Sequence, residues 1–193
     1  MQTKYNDNIL YFDDYNLLDV ALINKTPFYL YSQNKIVENF KDYETAFSEN
    51  NHLICYSVKA NSNLKILSIL AKLGSGFDIV SGGELHRVLE IGGDPSKIVF
   101  SGVGKTEDEI RFAISKNILC FNVESLEELK TINSLAIEMK KTANISIRVN
   151  PSIDIKTHPY IATGMKDNKF GVDEKEIVSL YTEASLCKGL KIT

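Results

Sequence analysis

An α/β fold built on a parallel barrel wrapped in helices is the fold class this sequence predicts. Three observations carry it. Strand-like runs with one apolar and one polar face recur along the chain. Helix starts of capping-box form stand between them. The strand ends near Val58, Val80, Phe100 and Val123 return about every twenty residues, the length of one strand–helix unit in such a barrel. In that architecture the apolar side chains of each strand face the helices. Functional groups line the mouth at the C-terminal strand ends.

The residues before Thr26 are less regular, with a short apolar run at Ile9 to Phe12, and 1–26 is read as an N-terminal extension. Residues 27–193 are read as the barrel domain. Phe28 to Tyr31 reads as a strand and Asn34 to Phe47 as a helix. From Leu53 to Lys59 the period of two puts Ile54, Tyr56 and Val58 on one face and Cys55, Ser57 and Lys59 on the other. Asn63 to Leu73 carries Leu64, Leu67, Leu70 and Ala71 near the helical period. Phe77 to Val80 is a strand interrupted by Asp78, and Ser81-Gly-Gly-Glu84 starts the next helix. Ile98 and Phe100 oppose Val99 and Ser101, ahead of a helix start at Thr106-Glu-Asp-Glu109. Leu119, Phe121 and Val123 oppose Cys120, Asn122 and Glu124, ahead of Ser125-Leu-Glu-Glu128. Ile145, Ile147 and Val149 oppose Ser146, Arg148 and Asn150. Asp173-Glu-Lys-Glu176 is a weaker cap, and Leu190 to Thr193 reads as the start of a strand. A complete barrel takes roughly 250 residues, so the expectation is an incomplete (β/α)8 TIM barrel.

Composition narrows the function. The 193 residues suit one domain with an appendage, and 44% apolar content is ample for a core. A formal charge of -3 gives no support for nucleic-acid binding. No apolar run reaches membrane-spanning length and no signal-peptide core follows Met1. Cys55, Cys120 and Cys187 show neither metal-ligand nor disulfide spacing, so no metal site is expected and a reducing, cytoplasmic setting is. The irregular segment Pro151 to Gly171 is rich in specific polar residues, as functional loops are.

Two glycine-rich stretches fail as phosphate loops. Gly102-Val-Gly-Lys-Thr106 lies between strand and helix, but a P-loop needs glycine where Val99 stands. Gly74-Ser-Gly76 precedes its strand instead of following it, and reads as a helix C-cap and turn. The remaining candidate for chemistry is Lys59. It sits with small residues at a strand end just before a helix. Partly desolvated, such an amine can lose its proton near neutral pH and attack a carbonyl, as in a Schiff base to pyridoxal phosphate. The alternative is a surface lysine that ends a strand.

Tyr56-Ser-Val-Lys-Ala-Asn61 resembles the cofactor-lysine motif of the alanine-racemase-like, fold type III pyridoxal phosphate enzymes. Gly76-Phe-Asp-Ile-Val-Ser-Gly-Gly-Glu-Leu85 and Ile98-Val-Phe-Ser-Gly-Val-Gly-Lys105 resemble the next two segments of their ornithine/diaminopimelate/arginine decarboxylase branch. Ile147-Arg-Val-Asn-Pro151, with Thr157-His-Pro-Tyr-Ile-Ala-Thr-Gly-Met-Lys-Asp-Asn-Lys-Phe-Gly171, looks specifically like diaminopimelate decarboxylase. The resemblance runs from about Tyr29 to the chain's end, in order. Ser57 departs from the alanine or other small residue usual there.

The resemblance implies pyridoxal phosphate-dependent decarboxylation of meso-2,6-diaminopimelate to L-lysine, the last step of lysine biosynthesis. It implies that Lys59 carries the cofactor, with Asp78 and Arg148 close by. Arg148 would either position Asp78 or polarise the cofactor ring. The plainer alternatives are a barrel-interior ion pair for Arg148 and a helix-cap neighbour for Asp78. Glu84 reads as a cap residue. His158 and Lys169 fall in the diagnostic loop, where loop structure, substrate route and dimer contact are the open roles. The full-length form is expected to be a homodimer acting on a small amino acid. The family's phosphate loop, ring-nitrogen partner, substrate arginines and β-domain are expected beyond this stretch, so the chain alone is expected to be inactive. The alternatives are a decarboxylase for carboxynorspermidine, arginine or ornithine, or a non-catalytic cofactor-binding or regulatory homologue.

Overall fold

The computed structural model describes residues 3–151 and 170–193, and the chain forms two compact units, Met1–His52 and Leu53–Thr193. In the first, β1 (Thr3–Asn6) and β2 (Ile9–Phe12) make an antiparallel hairpin and β3 (Tyr15–Asn16) pairs with β2. Asp7 and Asn8 turn the hairpin with φ of 46° and 63°. Two left-handed residues are what a tight hairpin turn needs, and Asp and Asn tolerate them. The Asn16 side chain caps α1 (Leu17–Ile23), and the Ser32 hydroxyl caps α2 (Gln33–Ala46) by accepting from the Lys35 amide. The strand expected at Phe28–Tyr31 does not form. These residues are exposed and lie outside every ladder among the described residues. β-Propensity measures fit to a half-buried pleated surface, and these exposed side chains lie on no such surface.

The second unit alternates strand and helix. Its elements run β4 (Cys55–Ser57), α3 (Leu64–Lys72), β5 (Gly76–Ile79), α4 (Gly82–Glu90), β6 (Ile98–Phe100), α5 (Glu107–Lys116), β7 (Cys120–Val123), α6 (Leu126–Glu138) and β8 (Ala143–Ile147). Then come β9 (Val149–Asn150), β10 (Val172–Asp173), α7 (Ile177–Leu186) and β11 (Leu190–Ile192). Six strands form one parallel sheet in the order β4-β5-β6-β7-β8-β11, while β9 and β10 pair separately. The order never reverses, which is the winding of a barrel and not of a doubly wound sheet. The fold is therefore the expected α/β barrel arrangement, here as a six-stranded portion.

The period of two reads out directly as burial. Phe77, Ile79, Ile98, Phe100, Phe121, Val123 and Ile145 are all 0–1% exposed, packed with Leu67, Leu85, Ile110 and Leu129 from the helices. Each such side chain contributes roughly 1.5–3 kcal/mol by leaving water. The opposite face holds Ser57, Asp78, Asn122 and Ser146, all half-buried. The caps form as expected. Thr106 and Glu109 make a full capping box, and Ser81 and Ser125 accept from the amides of Glu84 and Glu128. Glu84 and Glu128 themselves reach one residue further back, to the amides of Val80 and Glu124. They thereby tie each strand end to the following helix. The Gly74 turn closes α3: Gly74 has φ of 90°, its amide donates to Ala71, and the Ser75 amide donates to Leu70.

Candidate functional site

Lys59 follows β4, but not as a strand residue. The strand stops at Ser57, and Val58–Ala60 makes one 3-10 turn. Val58, between Ser57 and Lys59, is wholly buried. The Tyr56 hydroxyl closes the turn by donating to the Asn61 carbonyl at 3.2 Å, and the Asn63 side chain caps α3 just beyond. Lys59 is left exposed at the C-terminal end of the sheet, with no hydrogen-bond or ion-pair partner among the described residues. The desolvation expected around its amine is therefore not supplied by those residues. The sheet ends at β4, so no further described strand covers that side.

Next to β4 the polar face carries a connected row. Ser57 stands in register with Asp78, and Asn122 with Ser146. Ser101 donates to Asp78 Oδ1 at 2.5 Å, and Ser57 lies 3.5 Å from Oδ2. Asn122 Nδ2 donates to Ser101 Oγ at 2.8 Å, and Ser146 donates to Asn122 Oδ1 at 2.6 Å. Asp78 is thus held by the neighbouring strands. Cys55 and Cys120 share this face. Burial pushes both thiols above their ordinary range, and the Asp78 charge adds to the effect at Cys55.

Beyond this row stand two ion pairs. Arg148, in the break between β8 and β9, donates through Nη1 to Glu124 Oε1 at 2.8 Å. Glu124 Oε1 also accepts the Gly102 amide at 2.9 Å, while Oε2 is buried without a hydrogen-bond partner among the described residues. The Arg148 guanidinium lies 5.4 Å from the Phe170 ring centroid, and its side chain is 42% exposed. Of the expected alternatives for Arg148, the structure shows the ion pair, made with Glu124 and not with Asp78. Lys105 forms the second pair, at 2.6 Å from Glu128 Oε1. Its ammonium also donates to the carbonyls of Gly102 and Asn122, and its side chain is 1% exposed. Burial pushes the Glu128 carboxyl up, against the pull of Lys105. His158 and Lys169 lie outside the described residues.

A family model, the pyridoxal-binding domain of the pyridoxal-dependent decarboxylases, matches residues 33–193. The chain belongs to this family. Among curated decarboxylases, the diaminopimelate decarboxylase of Haemophilus influenzae is 52% identical over 190 residues, which are 98% of this chain and 46% of that protein. A solved diaminopimelate decarboxylase from Helicobacter pylori, complexed with L-lysine, superposes with a TM-score of 0.87 at 52% identity, covering 92% of this chain and 45% of that one. The enzyme from M. jannaschii, also in complex with L-lysine, gives 0.91 at 38% identity, over 100% of this chain and 46% of that one. The chain spans about half the length of the decarboxylases it matches.

The cofactor of this family is pyridoxal phosphate, and the donor set is compatible with it. A primary amine without a partner among the described residues could take the carbonyl. A guanidinium only partly spent on Glu124 could bind an anionic oxygen, and the Asp78 carboxylate could accept a hydrogen bond. Sequence reading missed Glu124, Ser101, Asn122 and Ser146 as members of the constellation. Alternation places them on the polar face, but only strand register shows which of them meet.

Proposed function

We propose that this chain carries the cofactor-binding part of a pyridoxal phosphate-dependent diaminopimelate decarboxylase. The whole protein would convert meso-2,6-diaminopimelate to L-lysine, as a homodimer in the cytoplasm. The observation that carries this reading is identity of about half to such a decarboxylase across nearly the whole chain. Lys59 supplies the amine that carries the cofactor. Arg148, held by Glu124, binds an anionic oxygen of the bound group. Asp78, held by Ser101, offers a fixed acceptor on the floor of the site. Bound pyridoxal phosphate supplies an electron sink for the pair left when the bond to the departing carboxylate breaks. A proton then takes the place of CO2 on the α-carbon.

The test is CO2 release from meso-diaminopimelate, L-arginine and L-ornithine. It is measured with the cofactor-loaded chain alone, and in mixture with the portion of a relative that the chain does not span. The expected result is no release by the chain alone and, in the mixture, release from meso-diaminopimelate only, with L-lysine formed in equal amount. Release from arginine or ornithine instead, or cofactor uptake with release from none of the three in the mixture, would contradict the reading. The second outcome would favour a cofactor carrier.

A further inference from the structure

The polar face holds more order than cofactor binding by Lys59 requires. Four side chains on adjacent strands join in one run: Ser146 after Ile145 in β8, Asn122 in β7, Ser101 just past β6, and Asp78 in β5. The protons in this run can be placed by elimination. The Ser101–Asp78 contact of 2.5 Å needs a hydrogen between the oxygens, and an ionised carboxylate has none to give. Ser101 therefore donates to Asp78, and its oxygen must accept from the other side. Among the described residues it is the NH2 of Asn122 that can donate there, at 2.8 Å, which fixes the orientation of that amide. Its carbonyl oxygen is then turned to Ser146, which must donate at 2.6 Å. Every bond points the same way, toward one carboxylate.

We propose that Ser101, Asn122 and Ser146 are positioning residues for Asp78, forming a one-directional donor relay that fixes how its carboxylate is presented. Bonds in such a chain polarise one another, so the last donor is the strongest. Oδ1 is committed to the relay. Among the described residues Oδ2 has only the 3.5 Å contact from Ser57, two residues ahead of Lys59. The carboxylate is thus turned so that its open oxygen lies on the side of the strand that leads to Lys59. Asn122 is the member that no shape-matched group replaces. It must donate on one side and accept on the other, which an aspartate or a leucine cannot do. The use of the open oxygen by a bound cofactor rests on the function proposed above; the relay itself does not.

The experiment therefore has a ligand-free arm and a cofactor arm, both on the full chain. In the ligand-free protein, NMR follows hydrogen exchange of the Asn122 side-chain amide. One of its two protons should be protected at least about tenfold relative to an exposed amide. Ser101→Ala should abolish that protection and Ser101→Thr, which keeps the hydroxyl, should restore it. In the cofactor arm, Ser101→Ala should weaken pyridoxal phosphate binding about tenfold and change the pH dependence of the bound cofactor's visible absorption. Ser146→Ala, one bond further from Asp78, should show a smaller change of the same kind. An unprotected Asn122 amide in the wild type would overturn the relay. So would a Ser101→Ala protein with unchanged amide protection and unchanged cofactor affinity. Failure of the wild type to take up cofactor would count against the proposed function alone, because the amide measurement decides the relay without it.

Discussion

Two lysines stand just past strand ends on the same side of the sheet, and their surroundings could hardly differ more. Lys105, after β6, is 1% exposed and gives all three N–H groups to acceptors, the carbonyls of Gly102 and Asn122 and the carboxylate of Glu128. Lys59, after β4, is exposed and has no such partner among the described residues. An amine attacks a carbonyl through its lone pair, which the triply donating ammonium of Lys105 does not offer. The lesson is that a lysine in a glycine-rich strand–helix loop is here a tie between two loops. The chemically available one sits in the plainer turn.

The comparison can be broken most forcefully at Lys105. Lys105→Met leaves the Glu128 carboxylate without its buried partner, and should cost roughly 3–5 kcal/mol in urea-melt stability. Lys59→Ala removes no packed group and should stay within about 0.5 kcal/mol of wild type. Next in size is Glu124→Ala, which strips a partner from Arg148 and from the Gly102 amide. It should cost about 1–3 kcal/mol and weaken cofactor uptake, measured by equilibrium dialysis, while leaving Lys59 as the attachment point.

A smaller effect appears in the pH dependence of stability. Burial is the main influence on Glu128 and raises its carboxyl above the ordinary 4.5. A raised carboxyl favours the folded state while protonated. Its contribution is present below the ordinary value and is lost as pH rises through the raised one. Glu109 runs the other way: burial pushes it up, but hydrogen bonds from Gly82 and Thr106 outweigh that and hold it low. Its contribution is present above the ordinary value and lost as pH falls. Melting temperatures should therefore show Glu128→Gln gaining on wild type as pH rises above the ordinary 4.5, and Glu109→Gln gaining on wild type only as pH falls below it. The smallest effect belongs to Ser57→Ala. Its contact with Asp78 is 3.5 Å long, so stability should move by less than about 0.5 kcal/mol.

Much of this molecule was legible in the sequence, for reasons that are local. Phe77, Ile79, Phe121 and Val123 alternate with polar residues, and burial follows the alternation. Ser81, Thr106 and Ser125 cap helices by accepting the amide of the glutamate three residues on, and of the three it is Thr106 whose own amide donates back to that glutamate's side chain. Phe28 to Tyr31 misled because its composition suits a strand but no described edge pairs with it. Alternation continues through Val58 and so reads Lys59 into the strand, but the ladder stops at Ser57 and Val58–Ala60 forms a 3-10 turn. The Glu124–Arg148 pair was hidden for a different reason. The two are 24 residues apart and meet only because Val123 and Ile147 stand in register.

The central claim is that Lys59, and not the better-ordered Lys105, carries the cofactor. Borohydride reduction of the pyridoxal phosphate-loaded chain, followed by peptide mapping, tests it directly. The account predicts a stable label on Lys59 and its loss in Lys59→Ala, with Lys105 unlabelled in both. A label on Lys105 or Lys169 in the wild type would contradict it.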